Sequence, residues 1–392
     1  MKNNKHYIIQ SLLEGTRRIT ENDDVEIELT GKQVKELEQI FKQFNGADIN
    51  DVLVATIKEA MPQAKRGTKF TQMSSKEIEE IGVVIKIDAK IIDTLEECLD
   101  AGKEAKRWYH EVNEMILEAF SESDGVLFLI LFAIFSPRQT LTVNLRLASR
   151  AYAGIKQDIE DPKKLKLLEE FMELPNMTVV NIIEAEYGKK LKGGEYEKFA
   201  ELNLVNRLGR EGIPTKTYTA NLTKVLKMYK KKNYTFTRED AIREISQHFK
   251  DTGDVSKDGI SAQKVFSFTL NLLDPNFQTE SGWLPVTIDT WMLSFFYPYM
   301  DKEDAQELLK KHRTYTYLAK VTQELAARYG MAPHEMQAAI WVAMIKKEKG
   351  PNYATGFEGA IRKNIKILEL KIDELQDLRK ILKQVILEIA KH

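Results

Sequence analysis

The feature that most constrains the fold is an uninterrupted apolar run, VLFLILFAIF, at residues 126–135. A helix that is apolar on every side belongs in the middle of a protein core. The run is too short to cross a bilayer, which takes roughly 20 apolar residues in a helix. It ends at the polar sequence SPRQT, residues 136–140, where a proline interrupts the helix. We therefore predict a buried helix that presents a polar loop rigidly at a surface.

Composition indicates a folded chain with more than one packed unit. Its 392 residues exceed the size at which a single hydrophobic core usually stops growing. Apolar residues make up 43% and charged residues 30%, which argues against a disordered chain. The formal net charge is -1, so an anionic partner would require a local basic patch.

The cysteine content and the first residues bear on the compartment. The chain has one cysteine, Cys98, which excludes an internal disulfide, a thiolate-held metal and an iron-sulfur cluster. The start, MKNNKHYIIQ, lacks the apolar core and the cleavage site of a signal peptide. We therefore expect a cytoplasmic protein with no membrane span and no metal site.

Helical periodicity dominates the rest of the chain, so we predict an all-α fold. Residues 1–119 are predicted to form an accessory helical region. Its stretch 82–92 is rich in Val and Ile, so a short strand is an alternative to helix there. Residues 120–350 form the helical core. From residue 361 to 392, apolar side chains recur every three or four positions. This spacing predicts a long amphipathic helix that either packs on the body or self-associates as a coiled coil.

A stretch of alternating lysines and aromatic residues, 215–236, is a candidate nucleic-acid surface. Basic side chains with aromatic neighbours suit a nucleic-acid backbone and its bases. A solvated helix face with its aromatic rings in the core explains the same pattern, and taken alone the stretch favours that explanation. The lysines that would contact phosphates are Lys227, Lys230, Lys231 and Lys232.

Two later segments carry further candidate residues. DGISAQKVFSF, residues 258–268, has a glycine turn before a helix that Ser261 could cap. Free N–H groups and the helix dipole favour an anion there. VTIDTWMLSFF, residues 286–296, holds one carboxylate, Asp289, in an apolar run. Such a carboxylate must be solvated, paired or functional, and the N-cap of a helix from Thr290 is the structural alternative.

Taken in order, three segments resemble the helix-hairpin-helix DNA glycosylase superfamily, which has an endonuclease-III-like fold. SPRQTLTVNLRLASRAY, 136–152, is similar to that family's helix-loop-helix with a Ser-x-Gln-type loop. The segments 258–268 and 286–296 look like its hairpin and its catalytic segment. Ala262 stands where the hairpin has its second glycine, and a polar insert, 274–282, lengthens the path to Asp289. The resemblance covers roughly residues 117–350.

The resemblance implies a two-lobed helical core and hydrolysis of an N-glycosidic bond of a flipped base in DNA. Asp289 would stabilise the sugar cation or orient the attacking water. Lys264 would attack the sugar C1′ and form a Schiff base if its pKa is lowered, which adds AP-lyase activity. The structural alternative for Lys264 is an exposed lysine in the first turn of a helix.

The resemblance also implies a DNA-binding surface. Arg138 and Gln139 would enter the minor groove or fill the space left by the flipped base, and Asn144 would hold their loop. Gly259 and Ser261 would bind a phosphate. The cofactor implied is at most a monovalent cation at the hairpin turn.

Two other functions remain open on the same fold. One is a virus-type, phage-like enzyme that modifies nucleotides or bases without cutting a glycosidic bond. The other is a helical DNA-binding or scaffold protein that has lost catalysis. Ala262 and the insert 274–282 would be traces of that loss.

Overall fold

The structure is a computed structural model, and it describes the greater part of the chain from residue 89 onward. The described residues are 18–19, 25–26, 89–137, 139–185, 194–210, 216–249, 259–260, 262–279, 283–297, 309, 312–350, 353, 356–372 and 377–392. Arg138, Ser261, residues 280–282 and most of the predicted accessory region 1–119 lie outside them.

The all-α prediction is confirmed for the described residues. One antiparallel pairing of two short strands, β1 (Arg18–Ile19) and β2 (Val25–Glu26), sets Arg18 opposite Glu26. Short 3₁₀ helices cover Lys103–Ala105 and Gly194–Glu201. The α-helices are α1 (Ala89–Ala101), α2 (Trp108–Ala119), α3 (Glu122–Ile134), α4 (Leu141–Glu160), α5 (Pro162–Met172), α6 (Asn176–Ala185), α7 (Asn203–Gly209), α8 (Lys216–Lys231), α9 (Arg238–Ser246), α10 (Gln263–Leu273), α11 (Thr290–Phe296), α12 (His312–Arg328), α13 (Pro333–Lys349), α14 (Phe357–Ile367) and α15 (Leu378–Lys391).

The chain divides into two compact units. The first unit comprises Met1–Arg107, Asp251–Asp254 and Gln278–Tyr353, and it contains α1, α11, α12 and α13. The second comprises Trp108–Lys250, Val255–Phe277 and Ala354–His392, with the remaining helices. The predicted core 120–350 therefore contributes residues to both units. The glycosylase-like two-lobed arrangement stays a prediction.

Helix α3 is the centre of the second unit. The Ser121 hydroxyl caps it by accepting the N–H of Asp124 at 3.4 Å. Side chains from Val126 to Phe135 are fully buried, and α2, α4, α8, α9 and α10 pack around them. This confirms the prediction of a helix surrounded by protein on every side. No helix in the described ranges has both the length and the apolar character needed to cross a membrane.

Helices α4 and α7 of the second unit approach closely because α4 carries a glycine. A Cβ atom on Gly154 would lie 2.6 Å from the Cα of Leu204. One turn later, the fully buried Asp158 carboxylate accepts the N–H groups of Asn203 at 2.8 Å and Leu204 at 2.9 Å. Burial raises the pKa of Asp158, although these hydrogen bonds lower it in part. Asp158 therefore caps the N-terminus of α7 from another helix.

The C-terminal apolar repeat forms two helices, so the prediction of one long helix is wrong. Helix α14 ends at Ile367, and Glu369 has a φ of 49°, which interrupts the right-handed helix. The Asn364 side chain donates to the Thr142 carbonyl at 3.0 Å and attaches α14 to α4. The apolar face of α15 packs against α2 and α4 and is buried there. Of the two roles left open for this segment, packing on the body is the one found.

The first unit packs α1, α11, α12 and α13 around a shared apolar core. A Cβ atom on Gly102 would lie 2.1 Å from the Ala339 carbonyl oxygen of α13. Helix α13 begins with Pro333 at its first position, and Glu335 accepts the N–H of Ala332 at 2.9 Å. Glycine after α1 thus permits a backbone contact that a side chain would block.

Candidate functional site

The polar loop after α3 is attached to helix α8. The Tyr218 hydroxyl donates to the Pro137 carbonyl and accepts a hydrogen bond from Gln139 Nε2 at 2.9 Å. The Tyr218 ring is itself buried and meets Phe135 edge-on, with 5.9 Å between ring centroids. Helix α4 follows at once, capped by the Thr140 hydroxyl. The loop that carries Gln139 is therefore fixed by α3 and α4 at its two ends and by hydrogen bonds to Tyr218 between them.

Two polar atoms next to this loop have no hydrogen-bond partner among the described residues. They are Ser136 Oγ, where the loop begins, and Asn144 Oδ1, in the first turns of α4. Asn144 is only 2% exposed. An unsatisfied buried polar group costs about 1–3 kcal/mol. Asn144 therefore lies in the first turns of α4 with hydrogen-bonding capacity left over, and its role in holding the loop stays a prediction.

The predicted basic and aromatic stretch covers α8 and the residues just after it, and three of its aromatic rings face the core. Tyr218, Tyr229 and Phe236 are each at most 1% exposed. Buried rings cannot stack on nucleic-acid bases. The candidate role of base contact therefore does not hold for these three residues, and the explanation that the stretch alone favours, aromatic rings in the core, is confirmed for them.

The four lysines predicted to contact phosphates all have acidic partners. In every pair the lysine Nζ lies 2.8 to 3.1 Å from a carboxylate oxygen, and the pairs are Lys227–Glu173, Lys230–Glu169, Lys231–Glu244 and Lys232–Asp240. Hydrogen bonds from Lys232 and Thr237 lower the pKa of Asp240. Since each positive charge faces a negative one, this face of α8 is close to neutral.

The turn before α10 is also attached to α8. Lys224 Nζ donates to the carbonyl oxygen of the buried Gly259 at 2.6 Å. The N-cap of α10 is Ala262, with no side-chain cap, and Ser261, the expected cap, lies outside the described residues. Ala262 has φ 73° and ψ 118°. Glycine adopts such a conformation readily and other residues rarely do.

Helix α8 thus supports two segments that the sequence assigns to one binding surface. Tyr218 holds the loop with Gln139, and Lys224 holds the turn with Gly259. The two supporting residues are separated along the helix axis by roughly 9 Å, at 1.5 Å per residue. Lys264 lies half-buried in the first turn of α10, in the same unit.

Asp289 belongs to the first unit, where it is the N-cap of α11. Its Oδ1 accepts the N–H groups of Trp291 at 3.0 Å and Met292 at 3.1 Å. The residue is 7% exposed, and Val286 and Ile288 before it belong to the apolar core. The structural N-cap role left open by the sequence is therefore present. Of the predicted site residues, the structure groups Gln139, Asn144, Gly259 and Lys264 in one unit and Asp289 in the other.

Two residues that fix the approach to Asp289 have no local sequence signal. Tyr315 and Gln323 of α12 bind the backbone of residues 284–288. Just before this segment, the Thr279 N–H donates to the Trp283 carbonyl at 2.9 Å. Only knowledge of the fold connects α12 with the segment that precedes Asp289.

A second charged group that the sequence did not single out joins α3 and α4. Lys156 Nζ lies 3.0 Å from Asp124 Oδ1. Burial lowers the pKa of Lys156, but the hydrogen bond to Asp124 and nearby charges raise it above its ordinary value. Burial, together with Asp124, raises the pKa of Tyr152. The group stays an ion pair with a neutral tyrosine at neutral pH, which suits a structural link between the helices.

Comparison with known proteins gives one family similarity. The family model described as "Family of unknown function (DUF7178)" matches residues 213–349. No curated protein and no solved structure matches the chain. The matched stretch runs from the start of α8 to the end of α13, so it contains Gly259, Lys264 and Asp289. It does not reach the loop with Gln139.

Proposed function

We propose that the protein binds DNA and hydrolyses the N-glycosidic bond of a base extruded from the duplex. The observation that carries this proposal is the attachment of two segments, distant in sequence, to one helix. The loop with Gln139 and the turn with Gly259 both bind α8. Each resembles a DNA-contacting segment of the helix-hairpin-helix glycosylases, where loop and hairpin serve one binding surface.

The proposed surface has one part for the groove and one for the backbone. Gln139 and Arg138 enter the minor groove, and Asn144 supports their loop from below. Backbone N–H groups in the first turn of α10, after Gly259, receive a phosphate.

Lys224 supplies the positive charge at the turn in this proposal. A monovalent cation, which the resemblance implies, would bind through carbonyl oxygens such as that of Gly259. That oxygen already accepts a hydrogen bond from the Lys224 ammonium group at 2.6 Å. The residues present therefore do not favour a separate cation, and we expect DNA binding to be equal in potassium and sodium chloride.

The paired lysines of α8 make salt dependence a useful measurement. Four phosphate contacts from these lysines would give a slope of log K against log salt of about −3.6, at −0.9 per phosphate. To bind phosphate, each lysine must first leave its carboxylate, so we expect a shallower slope. A salt slope of about −3.6 or steeper that becomes shallower in Lys230→Met would instead show that these lysines contact DNA directly.

Asp289 performs the chemical role in the proposal. As the base leaves with the electron pair of the C1′–N bond, positive charge develops on the sugar, and a carboxylate in an apolar setting stabilises it. Water then adds its oxygen to C1′ and releases a proton. The two N–H groups on Oδ1 keep the carboxylate oriented.

The test is incubation with oligonucleotides that carry damaged, mismatched or modified bases, followed by alkali or by borohydride. Cleavage after alkali without trapping indicates hydrolysis alone, and trapping that Lys264→Ala abolishes indicates added lyase chemistry. Asp289→Asn keeps the N-cap acceptor and removes the charge. We expect it to lose at least 100-fold in rate. Asp161→Asn, a matched N-cap change at α5, is the control and keeps full activity.

A non-catalytic DNA-binding protein is the second candidate function. The observation that favours it is the small exposure of Asp289, which is 7%. Under this alternative the wild type binds oligonucleotides, and no base in the panel is released. Equal DNA affinity of wild type and Asp289→Asn, without cleavage by either, would establish it and refute the glycosylase proposal.

A further inference from the structure

The segment that leads to Asp289, residues 283–289, is neither helix nor strand, and we name it the strap. It runs from Trp283, whose carbonyl accepts the Thr279 N–H, to Asp289, the N-cap of α11. Its central residues, 285–289, are all buried. Buried backbone N–H and C=O groups need hydrogen-bond partners. Neighbouring helices use their own backbone groups internally, so side chains have to supply these partners.

Two side chains of α12 bind the strap. Gln323 Nε2 donates to the Leu284 carbonyl at 2.5 Å. The Tyr315 hydroxyl donates to the Val286 carbonyl at 2.8 Å and accepts the Ile288 N–H at 3.0 Å. The strap therefore runs antiparallel to α12, with its Asp289 end towards the start of that helix.

The spacing of these bonds matches the two geometries. Tyr315 and Gln323 are eight positions apart, which is about 12 Å along a helix at 1.5 Å per residue. The Tyr315 hydroxyl binds on both sides of Thr287, which is three positions from Leu284, or about 10 Å in an extended chain at 3.3 Å per residue. The two spans are similar in length, which is consistent with both attachments forming at once.

Tyr315 has the more direct influence on Asp289. Its hydroxyl bridges the peptide groups on both sides of Thr287, and the ring is 3% exposed. The next residue after Ile288 is Asp289, which has an extended backbone with φ −129°. The carboxylate is thus held from one side by α11 N–H groups and from the other through the strap.

We propose that Tyr315 is a positioning residue for Asp289, because its hydroxyl fixes the strap that carries this carboxylate. The catalytic part of the inference rests on the proposed function, whereas the positioning itself does not. Two measurements on the full chain separate them.

The first measurement is amide hydrogen exchange in Tyr315→Phe. This change keeps the ring and removes the hydroxyl. We expect at least tenfold faster exchange for Ile288, and also for Trp291 and Met292, whose N–H groups bind the Asp289 carboxylate. The amide of Ile340, in the core of α13, serves as the reference for global unfolding. Faster exchange at Ile288 with unchanged Trp291 and Met292 would overturn the proposal.

The matched control is Tyr329→Phe in the same unit. The Tyr329 hydroxyl donates to the Glu96 carboxylate at 3.1 Å on the protein surface. We expect no change at the Trp291 and Met292 amides in this variant. Acceleration of equal size in both variants would mean that loss of any tyrosine hydroxyl loosens α11, and the specific role of Tyr315 would be wrong.

The second measurement is the rate of base release. With an active wild type, Tyr315→Phe should lower kcat by about 10- to 100-fold and leave the Kd for DNA within twofold, because misplacement of a reacting group by about 1 Å has effects of that size. Tyr329→Phe should keep the full kcat. Unchanged kcat in Tyr315→Phe would refute the positioning role. An inactive wild type with the expected exchange pattern would instead refute only the proposed function.

Discussion

Replacement of Ala262 by glycine should stabilise the second unit. Ala262 adopts φ 73° and ψ 118°, and its methyl group is exposed, so no packing is lost on its removal. A side chain held in such a region costs about 1–3 kcal/mol. Glycine has a larger entropy in the unfolded chain, which offsets roughly 0.5–1 kcal/mol. The net expectation is a gain of about 1 kcal/mol, or a rise of about 2–4 °C in Tm for a unit of this size.

The assay is thermal and urea unfolding followed by far-ultraviolet circular dichroism, with exchange of the α10 amides to assign the transition to the second unit. Ala220→Gly provides the matched control, since Ala220 lies half-buried inside α8. There the same substitution should destabilise by about 1 kcal/mol. Equal destabilisation by Ala262→Gly and Ala220→Gly would refute the claim that Ala262 occupies a glycine-like conformation.

Three further predictions concern the second unit. Gly154→Ala should destabilise this unit by about 1–3 kcal/mol in urea unfolding, because the new Cβ would lie 2.6 Å from the α7 backbone. Gly125→Ala should destabilise it less, because its Cβ would lie 2.9 Å from a leucine side chain that can move. A larger loss of stability in Gly125→Ala would contradict this geometry. The pKa of Asp240 is lower in the folded protein than in the unfolded chain. Ionised Asp240 therefore stabilises the fold at pH values above its unfolded pKa, and this stabilisation is lost as the pH falls through its folded pKa. Lys232→Met should therefore move the acid-unfolding midpoint to higher pH, and an unchanged midpoint would refute this linkage. Lys224→Met should weaken DNA binding about tenfold in fluorescence anisotropy, whereas equal affinity would remove this residue from the proposed surface.

The position of α3 in the fold follows from the sequence, because a helix that is apolar on every side can only lie inside a protein core. Residues 126–135 have no polar face, so their helix had to be central, and it is. The two helices at the C-terminus could not be predicted in this way. Apolar spacing records which residues face the core, and the spacing continues across the turn at Glu369. A periodic pattern therefore did not reveal where one helix ends and the next begins.

Local sequence patterns point to the candidate site residues, but not to the side chains that support them. Gln139 and Gly259 carry recognisable local patterns, whereas Tyr218 and Lys224, which hold them, matched a different hypothesis about α8. In that hypothesis the tyrosine stacked on bases and the lysines bound phosphates. Tyrosine and lysine can either hold another segment from a buried position or contact a ligand. Burial, which depends on the neighbouring helices, decides between the two.

The N-cap role of Asp289 does not compete with a catalytic role. A cap needs an oxygen that accepts the N–H groups of the first turn, and the bonds from Trp291 and Met292 meet that need through Oδ1. A catalytic carboxylate has to be ionised and held in a fixed orientation. The same two hydrogen bonds fix its orientation, and the helix dipole stabilises its negative charge. Asparagine satisfies the first requirement and fails the second. Asp289→Asn therefore separates the roles: unchanged Tm with lost base release means that the charge acts in catalysis, whereas unchanged release would leave Asp289 as a cap alone.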